Sequence, residues 1–173
     1  MSETQTAPLT LNVQYTKDLS FEVPNAPAIY TLLRQPPSVN INLDVQVRRL
    51  QEDQFVFEVT LATRAEATIP NPEEAPAANG NGAAEGQTGK DMTVFIADLS
   101  YSGIFTLTGI PENQIEPVLL VECPRLLFPF ARNILADVTR DGGFPPVMLG
   151  PVDFVGLWQA RREQMAAPPV ANA

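Results

Sequence analysis

The chain has 173 residues, 45% of them hydrophobic, so it is long enough for one domain with its own core. Eleven basic residues stand against twenty acidic ones, and the net charge of −9 disfavours binding to nucleic acids or anionic membranes. The sequence contains no histidine, which excludes Ser-His-Asp and Cys-His catalysis and imidazole metal ligands. Cys123 is the only cysteine, so the chain can form no internal disulfide.

The sequence also lacks the marks of membrane insertion or secretion. No apolar run reaches the roughly 18–20 residues that a membrane span requires. The first residues carry neither a basic stretch nor an apolar run, so no signal peptide is predicted. We therefore expect a soluble, cytoplasmic protein.

Apolar and polar residues alternate in the first third of the chain, which predicts three half-buried strands. The strands cover residues 9–23, 39–48 and 55–61. The segment between the first two, residues 24–37, is too rich in proline for a helix and predicts a crossover loop. The second and third strands are close in sequence, which predicts an antiparallel hairpin.

Three segments differ in composition from the rest. Residues 70–89 contain no large apolar side chain and predict a flexible hairpin insertion, because such a segment cannot offset its ordering entropy. Residues 1–8 and 165–173 are predicted to be disordered termini. Residues 9–164 are then the folded domain.

A fourth strand, residues 92–108, is apolar on both faces, and such strands are covered on both sides. One face carries Phe95, Ala97, Leu99 and Tyr101, and the other carries Met92, Val94 and Ile96. The second face is covered either by a partner subunit or by a helix of the same chain, and the pattern leaves both alternatives open.

The second half of the chain is helical. From Leu127 to Val138 apolar residues recur at helical spacing, Pro124 suits the first helical position and two glycines at 142–143 end the helix. Pro129 predicts a kink, and Asp153 predicts the N-cap of a last helix through residue 163. Strands followed by helices indicate an α+β domain.

No motif for catalysis or cofactor binding is present. The glycine pairs lack the strand-to-helix setting of a phosphate-binding loop, and carboxylate pairs such as Glu52 and Asp53 fall in polar turns. Cys123 has no histidine base and is interpreted as a buried structural residue. We therefore predict no enzyme activity, no cofactor and no metal.

Apolar side chains are instead concentrated in segments that are bounded by prolines and on the last helix. They lie in the crossover loop, in the connector at residues 144–151 and on the last helix. Such side chains either line a groove for another chain's apolar residues or seal the core of this domain.

Four stretches of the sequence resemble the SecB protein-export chaperone family. They are Tyr-Thr-Lys-Asp-Leu-Ser-Phe-Glu-Val-Pro-Asn-Ala-Pro at 15–27, Gly-Ile-Phe and Gly-Ile within 103–110, Cys-Pro-Arg-Leu-Leu-Phe-Pro-Phe-Ala-Arg at 123–132, and residues 143–154. They occur in one order and cover nearly the whole chain outside residues 70–89 and the termini.

The resemblance implies a four-stranded antiparallel sheet with helices packed on one side, assembled as a dimer of dimers. It implies a cytosolic, ATP-independent holdase that binds unfolded precursor proteins and keeps them competent for translocation. It further implies delivery of these clients to the SecA motor ATPase.

The resemblance also assigns residues to three surfaces. The SecA-binding face would consist of Asp18, Glu22, Ile96 and Asp98. Subunit contacts would lie at or near Phe95, Ala97, Leu99 and Tyr101. The client-binding groove is predicted to contain Tyr30, Leu32, Leu33, Ile41, Phe105, Met148, Leu149 and Trp158.

The sequence departs from the family pattern in three places. Arg34 stands where the family often has tryptophan, the insertion at 70–89 is longer than usual, and the tail after Glu163 has no acidic residue. The alternative to an export chaperone is a SecB-like chaperone of a toxin–antitoxin or other dedicated client system.

Overall fold

A four-stranded antiparallel sheet forms the centre of the computed structural model, which describes residues 7–71 and 91–166. Its strands are β1 (Leu9–Glu22), β2 (Ser38–Arg49), β3 (Val56–Ile69) and β4 (Met92–Leu107). The spatial order is β1-β4-β3-β2, so β1 and β2 are the two edge strands. Predictions for residues 1–6, 72–89 and 167–173 lie outside the described residues.

The helices follow the strands, which confirms the α+β class. They are α1 (Ile29–Leu32) in the crossover, α2 (Glu112–Pro117), α3 (Cys123–Asp141) and α4 (Phe154–Ala166), with a π-helical turn (Val118–Glu122) joining α2 to α3. Pro124 lies in the first turn of α3 as predicted, and α3 continues through Pro129 to Asp141 without a restart. The Asp153 carboxylate accepts the Gly156 N–H at 3.0 Å and caps α4, also as predicted.

Several predicted boundaries differ from the structure. The crossover segment does contain one helical turn, α1, although its prolines predicted none. The strand β3 continues eight residues beyond its predicted end at Leu61. At the termini of the domain, the Pro8 carbonyl accepts the Thr108 N–H at 2.9 Å, and α4 continues to Ala166. Backbone pairing therefore begins at Pro8, and the last helix ends at Ala166.

The core lies between the sheet and α3, and it has two parts. Around the middle of the sheet, Leu99, Tyr101 and Phe105 pack with Leu127 and Ala131 of α3. Towards the C-terminal end of α3, buried side chains form a second cluster that includes Ile29, Phe95, Ala97, Leu135, Phe144 and Leu149. The helix therefore covers the sheet along most of its own length, which is where its apolar stripe predicts burial.

Subunit contacts were predicted at or near Phe95, Ala97, Leu99 and Tyr101, and the chain itself buries these four side chains. Their exposed fractions are 1%, 0%, 2% and 6%, because helices and loops of the same chain cover them. These side chains offer almost no surface to a second subunit. On the other side of the strand, Val94 is an extra residue at a bulge opposite Ala67 and is buried in the same cluster as Phe95.

A buried carboxylate ties the strands together on the face of the sheet opposite α3. Glu58 of β3 accepts hydrogen bonds from the Tyr15 hydroxyl, from Lys17 at 3.0 Å and from Arg48 at 2.9–3.1 Å. These donors, with the tyrosine hydroxyl contributing most, lower the pKa of Glu58 and keep it ionised. Because Tyr15 and Lys17 lie on β1 and Arg48 on β2, the network links both edges to the middle of the sheet.

Two further observations concern the described residues as a whole. None of their helices combines the length and the apolar character needed to cross a bilayer. Within residues 7–71 and 91–166, acidic and cysteine side chains do not gather in threes where they could hold a metal ion.

Candidate functional site: an apolar groove and an acidic sheet face

An extended, largely apolar depression follows the edge strand β2. Every second side chain of β2 faces the helical side of the sheet, and these residues are Val39, Ile41, Leu43, Val45, Val47 and Arg49. The opposite wall comes from the connector between α3 and α4, from α4 itself and from the π-helical turn. We call this depression the β2 groove.

Three adjoining chambers make up the β2 groove. Chamber A, about 400 Å³, lies between Ile41 of β2 and Met148 of the connector. Chamber B, about 500 Å³, shares Leu43 with chamber A and is closed by Trp158 of α4. Chamber C, about 720 Å³, adjoins chamber B at Arg161 and at Leu120, and its wall includes Phe55, Phe57, Ile115 and Met165. The chambers share lining residues, so they form one continuous groove.

Helix α4 is held over the groove by a small number of contacts. Phe154 at its start is its one buried side chain among the described residues. Further along, the Trp158 indole N–H donates to Glu116 at 3.1 Å, and the Arg161 guanidinium donates to the Val45 carbonyl at 2.8 Å. The rest of α4 is exposed or partly exposed, so apolar surface remains open on both of its sides.

The structure brings four of the eight predicted groove residues to the chambers. Ile41, Met148 and Leu149 line chamber A, and Trp158 lines chamber B. Met148 is 59% exposed, which makes it a prominent apolar contact, whereas Leu149 is mostly buried behind it.

The crossover residues of the prediction lie elsewhere. The Tyr30 hydroxyl donates to the Gly142 carbonyl at 2.7 Å, and its ring stacks on Phe144 at 5.3 Å, so Tyr30 fastens the crossover to the end of α3. Leu33 packs on the second core cluster, and Leu32 is exposed. These three residues are therefore not among the lining residues of the three chambers.

Phe105 is a clear correction. It is fully buried in the core beneath α3, with no exposed surface, and cannot contact a bound chain. Phe105 lies on the same face of β4 as Leu99 and Tyr101, and α3 covers all three side chains.

Sequence reasoning missed residues that the tertiary structure brings to the groove. They are Val39, Leu43, Val45 and Val47 of β2, Phe55 before β3, Leu120 of the π-helical turn, and Leu157 and Arg161 of α4. The alternation in β2 was recognised as a strand signal. The strand alternation alone did not indicate a groove, because the position of β2 at the edge of the sheet is a property of the tertiary structure.

The predicted acidic residues come together on the face of the sheet opposite α3. On β1, Glu22 lies opposite Ile96 and Asp18 lies opposite Ser100, and Asp98 is two positions from Ile96 on β4. Directly opposite residues of an antiparallel pair share one face of the sheet. All four predicted residues, Asp18, Glu22, Ile96 and Asp98, therefore lie on one surface, which we call the acidic face.

Two charged residues of β3 extend the acidic face. Arg64 lies opposite Asp98 and pairs with it at 2.6 Å, and it approaches Glu66 at 3.8 Å. Both pairs are partly exposed, so solvent and salt screen them. With Glu58, Lys17 and Arg48 on the same face of the sheet, these residues make five carboxylates against three cationic side chains, which leaves the face negative. The sequence prediction did not include Arg64 or Glu66.

Cys123 has the structural role that the sequence indicated. It is fully buried in the core at the start of α3. Burial is the main cause that raises the pKa of its thiol to about 12, and the neighbouring Glu122 adds to the shift. The thiol therefore stays protonated and unreactive near neutral pH.

The fold and the site together define an α+β protein with an apolar groove along a sheet edge, a shape suited to an extended polypeptide. A family model described as "Preprotein translocase subunit SecB" matches residues 2–165. The Protein-export protein SecB of Acidiphilium cryptum is 82% identical over 173 residues, all of both chains. That of Granulibacter bethesdensis is 61% identical and covers 96% of this chain and 89% of its own.

A solved structure has the same fold at low sequence identity. It is a SecB-like chaperone of Mycobacterium tuberculosis in complex with a ChAD peptide from the HigA1 antitoxin. The match has a TM-score of 0.59 and 14% identity, and it covers 84% of this chain and 91% of that one. The chain belongs to the SecB family of protein-export proteins.

Proposed function

We propose that this chain is an ATP-independent, cytoplasmic holdase that binds unfolded precursor proteins and delivers them to the SecA motor ATPase for export. The observation that carries the proposal is the β2 groove, in which two mainly apolar chambers, A and C, are joined by the more polar chamber B, in a member of a protein-export family. The proposal needs no catalytic residue, cofactor or metal.

The proposed mechanism is capture by mass action. A protein that binds the unfolded state of a client lowers the concentration of free chains that can fold. Chambers A and C take apolar side chains of the client, and each Å² of apolar surface removed from water contributes about 25 cal/mol before ordering costs. A long precursor can occupy several chambers at once, so weak contacts act together.

The test is a refolding assay with a chemically unfolded precursor. We expect near-stoichiometric amounts of this protein to slow refolding, to the same extent with and without ATP, because binding requires no nucleotide. Recovery of native fluorescence by the precursor measures the rate. Refolding kinetics that do not change when the protein is added would reject the holdase proposal.

We also infer that the chain assembles as a dimer of dimers, with contacts on the outer surface of α3 and the edge strand β1. Leu126 and Phe130 lie one turn apart on α3, and each is 46% exposed. Val13 and Leu19 of β1 are also exposed. The Phe130 ring stacks on Tyr101 at 6.1 Å, so the buried row on β4 supports the exposed surface of α3 rather than contacting a partner itself.

Replacing Phe130 with aspartate is expected to reduce the assembly below four subunits, because a carboxylate in an apolar contact is costly to desolvate. Multi-angle light scattering measures the mass. Gln159→Asp is the control, since it adds the same charge to an exposed position of α4, outside the proposed contact surface. An assembly of four subunits in Phe130→Asp would show that this surface is not the contact.

The second candidate function is a chaperone dedicated to a toxin–antitoxin system. The M. tuberculosis protein, solved with an antitoxin peptide, is similar in fold at 14% identity. Relatives at 82% and 61% identity carry the protein-export name, and they favour the export role for this chain.

A further inference from the structure

The outer edge of β2, which pairs with no other strand within residues 7–71 and 91–166, presents a row of main-chain groups. The Leu50 N–H donates to the Val56 carbonyl at 2.9 Å, which places this opposite pair among the hydrogen-bonded pairs of the hairpin. Hydrogen-bonded and non-hydrogen-bonded pairs alternate along an antiparallel ladder. Even-numbered residues of β2 therefore bond to β3, and the odd-numbered residues from Val39 to Arg49 direct N–H and C=O groups away from the sheet.

The odd-numbered residues are also those whose side chains line the β2 groove. An extended chain lying in the groove therefore lies beside an unpaired strand edge. Such an edge pairs with extended segments almost regardless of their sequence, because the main chain supplies the hydrogen bonds. Each net hydrogen bond of this kind raises affinity by roughly fivefold, so strand addition over several residues would make release slow.

Arg161 occupies this edge at its midpoint. Its guanidinium donates to the Val45 carbonyl at 2.8 Å, and Val45 is one of the odd-numbered residues. The same side chain lines both chamber B and chamber C, so it crosses the groove between them. A client strand cannot continue along the edge of β2 without displacing it.

We propose that Arg161 is a specificity-determining residue that blocks strand addition to β2 and confines a client to side-chain contacts in the chambers. The proposal rests on the proposed client groove. Arg161 occupies one main-chain acceptor, the Val45 carbonyl, and places a charged, planar group where an added strand would lie. Client binding then depends on contacts of apolar side chains, which can dissociate one at a time. The client can therefore still be transferred to SecA.

The test compares two dye-labelled peptides by fluorescence anisotropy. One is a peptide of alternating leucine and serine with twelve residues, the length of β2. The other has the same sequence with N-methyl groups at alternate residues, which removes the N–H donors along one edge. Both methylation registers are measured. The ratio of the two affinities reports main-chain pairing, because losses of side-chain contact affect both peptides equally.

In Arg161→Ala we expect the affinity for the unmethylated peptide, divided by the affinity for the methylated one, to rise about tenfold. A rise of this size corresponds to one or two new main-chain hydrogen bonds. Arg162→Ala is the matched control, since Arg162 lies next in the helix and covers the Trp158 ring at 5.3 Å. The affinity ratio of the Arg162→Ala variant should equal that of the unaltered protein. An unchanged ratio in Arg161→Ala overturns the proposal, whereas failure of the unaltered protein to bind either peptide rejects the client groove itself.

Discussion

Replacing both Met148 and Leu157 with aspartate is expected to weaken client retention at least about tenfold in the refolding assay. Met148 lines chamber A and Leu157 lines chamber B, and they are 59% and 42% exposed. Burying one such side chain against a client contributes roughly 1.5–3 kcal/mol, and about 1.4 kcal/mol corresponds to a tenfold change. A carboxylate in its place must also lose water. Because both positions are exposed, the fold itself should tolerate the change.

The control for this variant adds the same two charges outside the groove. Leu50→Asp with Gln159→Asp changes one exposed apolar residue in the β2–β3 turn and one exposed residue of α4. Neither residue is among those that line the chambers. Equal loss of retention in both double variants would point to net charge, and full retention in Met148→Asp/Leu157→Asp would remove chambers A and B from the client site.

Reversing the charge of Asp18 and Glu22 to lysine is expected to weaken binding to SecA at least about tenfold at low salt, with client capture unchanged. The change removes two carboxylates from the acidic face and adds two positive groups, which shifts the charge of the face by four units towards positive. Charge complementarity of this kind governs association and is screened within about 10 Å at 0.1 M salt. Raising the salt should therefore weaken the unaltered complex more than the variant.

The matched control is Glu52→Lys with Asp53→Lys, which makes the same change of net charge in the exposed β2–β3 turn. Surface plasmon resonance measures SecA affinity, and the refolding assay measures client capture. If SecA affinity survives the reversal at Asp18 and Glu22, the docking assignment is wrong. If both double variants lose equal affinity, overall charge rather than the acidic face attracts the motor.

The second half of β3 could not be predicted from hydrophobic periodicity. Its first residues include Phe57, Val59 and Leu61, whose alternation predicted a strand. The continuation from Ala62 to Ile69 contains alanine, threonine, arginine and glutamate, which carry little apolar contrast. These residues form a strand because β2 and β4 pair with them on both sides, and that pairing involves distant parts of the chain.

Phe105 and the groove residues illustrate a related point. The sequence shows that one face of a strand is apolar, but the cover on that face comes from α3, which begins at Cys123. Side chains under α3 became core, whereas Val39, Ile41 and Val47 of β2, at the edge beyond it, remained exposed and line the groove. Burial of an apolar side chain therefore depended on its distance from the helix, not on its local pattern.

The sequence by itself determined the strand alternation, the helical stripe, the negative charge and the absence of histidine, because these are properties of neighbouring residues and of composition. It also carried the resemblance to SecB. Only the tertiary structure decided that β2 is a free edge and that Arg161 reaches the Val45 carbonyl across 116 positions of sequence. Such contacts depend on how the sheet and helices pack, and local periodicity contains no information about which distant segment will cover a given surface.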